Sequence, residues 1–156
     1  MKVAVILPEF EIYDRVQGGA IAKWVFNVYR NLDLSNTIFG FAGHLDNYKQ
    51  ETNFVNLNDG FIQIVKRIRL VRRLTVFIYV AKLIDYLHEY DIVHLHNSFQ
   101  IVRLLRKFGF KGKIVLHLHN NYLDNLAEKQ RKYLKDNVAK FIFCSKAIRE
   151  TSGVEG

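Results

Sequence analysis

Short apolar runs alternate with longer helix-like segments along the whole chain. Parallel neighbouring strands need a crossover between them, so strands separated by helices form right-handed βαβ units and a parallel sheet. The pattern predicts an α/β fold: a doubly wound, Rossmann-like, mostly parallel sheet of six to seven strands with helices on both faces. The runs are KVAVIL at 2–7, NTIFGFAG at 36–43, NFVNL at 53–57, DIVHLHN at 91–97, KIVLHLHN at 113–120 and VAKFIFCS at 138–145.

The segments between these runs carry apolar residues at a spacing of three to four, which is typical of helices. A chain of 156 residues is long enough to bury one full core. We therefore expect a single domain over 1–156. The predicted helices cover 20–32, 61–89 (two helices, or one bent near Thr75), 99–108 and 122–136, and a last helix begins at Lys146.

Composition and cysteine content indicate the cellular setting. Hydrophobic residues make up 49% of the chain and charged residues 24%, as in folded globular proteins. No secretory signal and no apolar stretch of the ~18 residues needed to span a membrane is apparent. The single cysteine, Cys144, lies in apolar FIFCS, so we expect a buried thiol in a reducing compartment and a cytoplasmic protein.

The net charge of +8 is placed unevenly. Residues 60–84 hold six basic residues and no acidic one. At 100° per residue, Lys66, Arg69, Arg72 and Arg73 share one side of the predicted helix. This side is either a solvated helix face or a docking surface for an anionic membrane or lipid phosphate. Nucleic acid is disfavoured as a partner, because the aromatic residues lie mostly in apolar runs and form no stacking platform.

Gly18 and Gly19 stand directly before the helix that begins near Ala20. A helix N-terminus offers unpaired amides and a partial positive charge, and glycine lets a phosphate approach closely. The segment GGAIAK does not match the dinucleotide fingerprint, and there is no P-loop. The pair is therefore either the entry to a helix or part of an anion site.

Histidines form two H-L-H triplets, each at the end of a predicted strand and each followed by asparagine. Two-residue spacing puts both histidines of a triplet on one face of the sheet. The outer pair, His96 and His119, falls at the carboxyl edge, where parallel sheets bind ligands. A neutral ring there can accept from a sugar hydroxyl and a protonated one can pair with phosphate. The asparagines after the strands, Asn97, Asn120 and Asn121, add amide groups suited to polyols.

The inner pair, His94 and His117, is expected to be packed and bonded to backbone or water. Four histidines could supply a zinc site by ligand count. No cysteine or carboxylate lies close to them in the sequence, so we expect no metal site. A nucleophile arrangement is also disfavoured, because no serine lies in an elbow motif near a histidine.

Four segments, in this order and spacing, resemble the amino-terminal domain of a family 4 glycosyltransferase of the retaining, GT-B type. They are the first strand with QGGA, DIVHLHN, KIVLHLHNN and FIFCSKAIRE. The third segment departs from the family pattern, with His117 where threonine is usual. The resemblance covers nearly the whole chain.

The resemblance implies a role for several residues. Gly18 and Gly19 would contact the donor diphosphate or the acceptor, and His119 would be the catalytic side chain beside the transferred sugar. The acceptor pocket would be formed by His96, Asn97 and Asn120, and the cleft edge by Ser145 and Lys146. The implied reaction moves a sugar from a nucleotide diphosphate sugar to a glycan or lipid-linked acceptor, without an obligatory metal or other cofactor.

Enzymes of this kind have a second Rossmann-like domain with an E-x7-E pair, and residues 1–156 correspond to the acceptor-side half alone. We therefore expect a hexosyltransferase-type enzyme whose amino-terminal half is inactive alone. The expected location is the cytoplasm, peripheral at the inner membrane face if the basic side binds lipid. The alternative is a non-catalytic binding module for an anionic membrane or nucleic acid.

Overall fold

A computed structural model describes residues 1–9, 11–14, 18–29, 36–42, 53–57 and 72–154. These residues contain seven strands, five α-helices and a 3₁₀ turn. The strands are β1 (Val3–Ile6), β2 (Ile12–Tyr13), β3 (Asn36–Ala42), β4 (Phe54–Asn56), β5 (Ile92–His96), β6 (Lys113–Leu118) and β7 (Lys140–Phe143). The helices are α1 (Ala20–Tyr29), α2 (Arg72–Leu87), α3 (Phe99–Lys107), α4 (Glu128–Asn137) and α5 (Lys146–Ser152), and the 3₁₀ turn is Tyr122–Asn125.

All seven strands belong to one sheet, and every strand pair in it is parallel. The order is β2-β3-β1-β5-β6-β7, and β4 also pairs with β3. Without the short β2, the order is β4-β3-β1-β5-β6-β7, the arrangement of a doubly wound domain. The predicted Rossmann-like α/β fold is confirmed.

The order of the strands reverses between β1 and β5, which pair from Val3↔Ile92 to Ile6↔Leu95. In open α/β sheets a ligand binds outside the carboxyl ends of the strands at such a switch point. A ligand site is therefore expected among the residues that follow β1, β5 and β6.

The larger core lies on one face of the sheet. Alternate residues of the strands point to it, among them Ile6, Phe39 and Leu116, and α2, α3 and α4 cover them. Tyr79 of α2 is fully buried, and its hydroxyl donates to the carbonyl of Leu7 at 2.8 Å. This bond connects α2 to the carboxyl end of β1.

The second face carries a smaller core beneath α1. Val25 and Phe26 of α1 pack against Val5, Leu7 and Tyr13 there. Because residues alternate along a strand, the histidines of β5 and β6 point to this face too. Helix α1 thus lies over the part of the sheet that holds the unusual polar side chains.

The helix predicted at 122–136 is interrupted in the structure. Residues 122–136 form a 3₁₀ turn and then α4, because Leu126 and Ala127 are extended, with ψ of 141° and 152°. At the start of α4, the side-chain oxygen of Gln130 accepts a hydrogen bond from the backbone N–H of Ala127 at 2.9 Å. The apolar period alone did not reveal this break.

The other differences are smaller. Helix α2 runs through Thr75 without interruption, and the predicted helical stretch before it, from 61 to 71, lies outside the described residues. The two-residue β2 was not predicted. Within the described ranges, none of the helices combines the length and the apolar character that crossing a bilayer requires.

Candidate functional site

The four histidines of the H-L-H triplets form one cluster on the α1 face of the sheet. The strand register places His96 opposite His117. Within each triplet, the two ring centroids are 4.6 Å apart for His94 and His96 and 4.2 Å apart for His117 and His119. The residues His94, His96 and His117 are buried, and His119 is half-buried. We call these four residues the histidine cluster.

Hydrogen bonds connect the cluster internally and to two other side chains. His96 Nδ1 and His119 Nε2 are 2.8 Å apart. The Sγ atom of Cys144, just beyond β7, lies 3.3 Å from His117 Nε2 and 3.2 Å from His119 Nδ1. On the other side, the hydroxyl of Tyr29 in α1 pairs with His94 Nδ1.

Trp24, on the second turn of α1, packs against all four rings of the histidine cluster. The indole centroid lies 4.6 Å from that of His117 and 5.6 Å from those of His96 and His119. The interplanar angles, between 63° and 90°, are those of edge-to-face contacts. Helix α1 therefore closes the cluster with its largest side chain.

Burial keeps the histidine cluster neutral at physiological pH. Desolvation and the neighbouring rings lower the pKa of His94 to about 3 and that of His117 to about 4. The same causes hold the pKa of His96 well below its usual range, and desolvation lowers that of His119. A neutral His119 can exchange hydrogen bonds with a hydroxyl but offers no charge to a phosphate.

Asn97 organises the carboxyl ends of β5 and β6. Its φ is 44°, a left-handed conformation that asparagine tolerates better than most residues. Its side-chain oxygen accepts from the backbone N–H of His119 at 3.0 Å, and its own N–H donates to the carbonyl of His117 at 3.1 Å. The Asn97 amide also lies 3.4 Å from Oδ1 of Asn120, whose side chain is exposed. Asn97 thus fixes His119, and Asn120 faces solvent at the same edge.

The glycine pair lies at the start of α1, on the same helix as Trp24. Gly18 is buried, and a Cβ on it would lie 2.2 Å from the carbonyl oxygen of Asp14. A Cβ on Gly19 would lie 2.3 Å from Oε1 of Glu11, and this oxygen accepts from the N–H of Ala22 at 3.1 Å. The Glu11 carboxylate thus occupies the helix N-terminus, the position predicted for a donor phosphate.

Ser145 and Lys146 begin α5, one residue after Cys144. The Ser145 hydroxyl accepts from the N–H of Ile148 at 3.2 Å, as an N-cap. The Lys146 ammonium lies 3.5 Å from the Glu150 carboxylate, and both side chains are exposed. Both residues stand at the carboxyl edge beyond β7, and their role in a cleft stays a prediction.

Half of the predicted basic face lies outside the residues that the structure describes. Lys66 and Arg69 lie outside the described residues, and Arg72 and Arg73 form the first two positions of α2. The membrane or lipid-phosphate surface stays a prediction.

The prediction that Cys144 is buried is wrong. Strand β7 ends at Phe143, so Cys144 lies past the sheet edge and is exposed. Its Sγ atom nevertheless rests against two rings of the histidine cluster, and this local burial raises the pKa of the thiol. Cys144 is far from the histidines in the sequence. The pairing of β6 with β7 nevertheless brings its thiol next to His117 and His119.

The sequence also left other members of the site unassigned. Trp24 was counted as an apolar residue of a helix, and Tyr29 and Glu11 received no role. For Tyr29 the signal was available, because it lies four residues after the buried Val25, on the side of α1 that packs against the sheet. Glu11 carried no such signal, since its position depends on how the loop before α1 folds.

The fold and this polar edge define a Rossmann-like domain with a candidate ligand site at the carboxyl ends of its central strands. No family model matches the chain. The chain is 25% identical over 137 residues to the lipopolysaccharide 1,2-N-acetylglucosaminetransferase of Salmonella typhimurium. That similarity covers 83% of this chain and 36% of the length of the relative. It supports a relationship to glycosyltransferases.

Proposed function

We propose that this chain is the acceptor-side, amino-terminal half of a retaining glycosyltransferase. The enzyme transfers a sugar from a nucleotide diphosphate sugar to a hydroxyl group of a glycan or lipid-linked acceptor. The observation that carries the proposal is the convergence of His119, Asn97 and Asn120 at the carboxyl edge beside the switch point. The similarity to an N-acetylglucosaminetransferase over 83% of the chain supports it independently.

His119 is suited to a sugar rather than to a charged group. Its lowered pKa makes it neutral, so it can accept from or donate to a hydroxyl. One ring nitrogen is held by His96 at 2.8 Å, whereas the other faces the Cys144 thiol, which is a weak partner. A sugar hydroxyl would therefore take the place of the thiol at Nδ1.

Asn97 and Asn120 act at either side of His119. Asn97 holds the backbone of His119 and positions the imidazole, and the exposed amide of Asn120 is available to an acceptor hydroxyl. In a retaining transfer the departing phosphate can take the proton of the acceptor hydroxyl. The chain then needs to orient the acceptor and stabilise developing charge, and fixed dipoles serve this purpose.

The start of α1 is the candidate position for the donor phosphates in this proposal. Its amides point toward the carboxyl edge, but the Glu11 carboxylate now bonds to one of them. Donor binding there requires Glu11 to move away. Since Glu11 reaches Gly19 through a flexible side chain, its displacement leaves the backbone of α1 in place.

The test compares two histidines in the longest natural polypeptide that contains this chain. Sugar transfer is measured with radiolabelled UDP- and GDP-sugars and a lipid-linked or lipopolysaccharide acceptor. His119→Ala is expected to lower turnover at least about tenfold with folding intact, because it removes a group that contacts the reacting sugar. His88→Ala is the control, since His88 is exposed after the end of α2 and at the opposite end of β5.

A wild-type rate for the His119 variant would remove His119 from the reaction. Failure of the wild-type polypeptide to transfer or bind any of these sugars would overturn the proposed function. Circular dichroism spectra of the variants exclude loss of folding as the cause of a lower rate.

A further inference from the structure

Three nitrogens of the histidine cluster are buried and have no hydrogen-bond partner among the described residues. They are Nε2 of His94, Nε2 of His96 and Nδ1 of His117. The three residues are only 5%, 1% and 3% exposed. A buried polar atom without a partner costs about 1–3 kcal/mol. Three such atoms on the paired strands β5 and β6 form a place where a bound ligand would be stabilising.

The same three residues can surround one small ion. Each brings a ligand nitrogen within 4.8 Å of those of the other two. The ring centroids are 4.6 Å apart for His94 and His96, 5.5 Å for His94 and His117, and 5.4 Å for His96 and His117. In a tetrahedral zinc site with Zn–N of about 2.0–2.1 Å, the nitrogens are about 3.4 Å apart. The nitrogens would have to approach one another by at most about 1.4 Å to reach this geometry.

The opposite nitrogen of each ring already has the kind of partner that metal-binding histidines have. A histidine ligand usually pairs its second nitrogen with another group, which fixes the ring and its tautomer. For His94 this partner is Tyr29, for His96 it is His119 at 2.8 Å, and for His117 it is the Cys144 thiol at 3.3 Å. These hydrogen bonds fix the orientation of each ring through one nitrogen. The second nitrogen of each ring has no partner among the described residues.

The chemistry of this donor set selects the ion. Three neutral imidazoles suit zinc, copper and nickel, whereas calcium and magnesium prefer oxygen ligands. Trp24 packs on the rings and limits water around the ion.

We propose that His94, His96 and His117 bind one divalent transition-metal ion of the zinc class, at a site separate from any step of sugar transfer. This site differs from the metal-free packing that the sequence predicts. The ion would satisfy the three unpartnered nitrogens and join β5 to β6 behind the edge that carries His119. Its role is to hold the strands that position the edge, and it needs no nucleotide sugar to bind.

The proposal is tested by metal binding to the chelator-treated chain without substrate. Calorimetry with Zn²⁺ is expected to give one equivalent per chain, and bound Zn²⁺ is expected to raise the melting temperature. Trp24 is the only tryptophan, so its fluorescence reports binding at the cluster. Failure to bind Zn²⁺ more tightly than a His96→Gln variant overturns the proposal.

Variants separate the three ligands from their outer partners. His94→Gln and His96→Gln are each expected to lower Zn²⁺ affinity at least about tenfold. Cys144→Ser is expected to retain one equivalent with a smaller loss, and His88→Ala is expected to bind like the wild type. Binding that is lost in Cys144→Ser but unchanged in His94→Gln would place the ion at Cys144, His117 and His119 and overturn the assignment.

A measurement on the wild-type chain covers the case in which ligand variants fail to fold. Co²⁺ bound by nitrogen ligands shows visible d–d bands without the near-ultraviolet charge-transfer band of a cobalt–thiolate bond. We expect the first pattern. A thiolate band, or the absence of any Co²⁺ spectrum, contradicts the three-histidine site, whatever the outcome of the sugar-transfer assay.

Discussion

The indole ring of Trp24 stands perpendicular to the imidazole ring of His117, with centroids 4.6 Å apart and an interplanar angle of 90°. This contact joins α1 to β6 across the second face of the sheet. It also covers rings that burial keeps uncharged. The integrity of the polar edge therefore depends on an apolar contact of α1.

Trp24→Ala is expected to lower the free energy of unfolding by about 2 kcal/mol. Truncating a core tryptophan costs about 3–5 kcal/mol, and Trp24 is only half-buried. Trp24→Phe keeps an aromatic ring against the histidine cluster and should lose less than half of that amount. Urea denaturation followed by circular dichroism measures both, and equal stability of the alanine variant and the wild type would contradict the role of this contact.

Gly18→Ala and Gly19→Ala are expected to differ strongly. A Cβ on Gly18 meets the carbonyl oxygens of Asp14 and Ile12 at 2.2 and 2.9 Å, so the backbone must move at a cost of about 2–3 kcal/mol. The three atoms nearest to a Cβ on Gly19 belong to the Glu11 carboxylate, which can swing away, so Gly19→Ala should cost about 1 kcal/mol or less. Thermal unfolding of the two variants provides the comparison, and the reverse order would show that the carbonyls of Asp14 and Ile12 do not limit the side chain at position 18.

Tyr79→Phe is expected to lower the free energy of unfolding at pH 7 by about 1–3 kcal/mol. The substitution leaves the buried carbonyl of Leu7 without its 2.8 Å hydrogen bond while keeping the ring. Tyr86→Phe is the control, because Tyr86 is 49% exposed on the same helix. Denaturant titrations of the two variants should separate clearly, and matching losses would argue against the importance of the buried bond.

Ionisation of Tyr79 is expected to reduce the free energy of unfolding at high pH. Burial, helped by the charge of Glu9, raises the pKa of Tyr79 well above 10.0. The folded state therefore keeps the proton while the unfolded chain releases it, so the contribution is complete below pH 10 and decreases as the pH rises further. The slope is about 1.4 kcal/mol per pH unit from this group. Unfolding curves from pH 9 to 11 should be steeper in pH for the wild type than for Tyr79→Phe, and parallel curves would refute this.

Glu11→Gln is expected to strengthen binding of UDP or GDP about two- to fivefold if donor phosphates bind at the start of α1. Removing an anion from a helix N-terminus frees a position worth about 0.3–1 kcal/mol to another anion. Glu128→Gln is the control, since it changes a carboxylate in the first turn of α4, away from the glycine pair. Trp24 fluorescence or calorimetry measures the affinities. Unchanged or weaker binding would place the phosphates elsewhere.

The sequence predicted the parts of this molecule that depend on local periodicity. Alternation was enough to place His94 with His96, and His117 with His119, on one face of the sheet, because the period of a strand is two. The strand predicted at 138–145 is present as Lys140–Phe143, but its register against β6 was not available from the sequence. That register decides that the thiol meets His117 and His119.

The loop before α1 could not be predicted for a different reason. The Glu11 carboxylate lies 2.3 Å from where a Cβ on Gly19 would be, and the N–H of Gly18 bonds to the carbonyl of Asp14. No periodic pattern in the sequence records such contacts. The sequence left the glycine pair as either a helix entry or an anion site; in the structure it precedes α1, and the groups close to it are Glu11 and the carbonyl of Asp14.

The position of β1 at the centre of the sheet has a consequence for biosynthesis. Val3–Ile6 is synthesised well before one of its two partners, Ile92–His96. Until that later strand emerges, an edge of a fully apolar strand stays open to other chains. Chaperone capture of this open edge during synthesis is therefore expected to influence the yield of the protein.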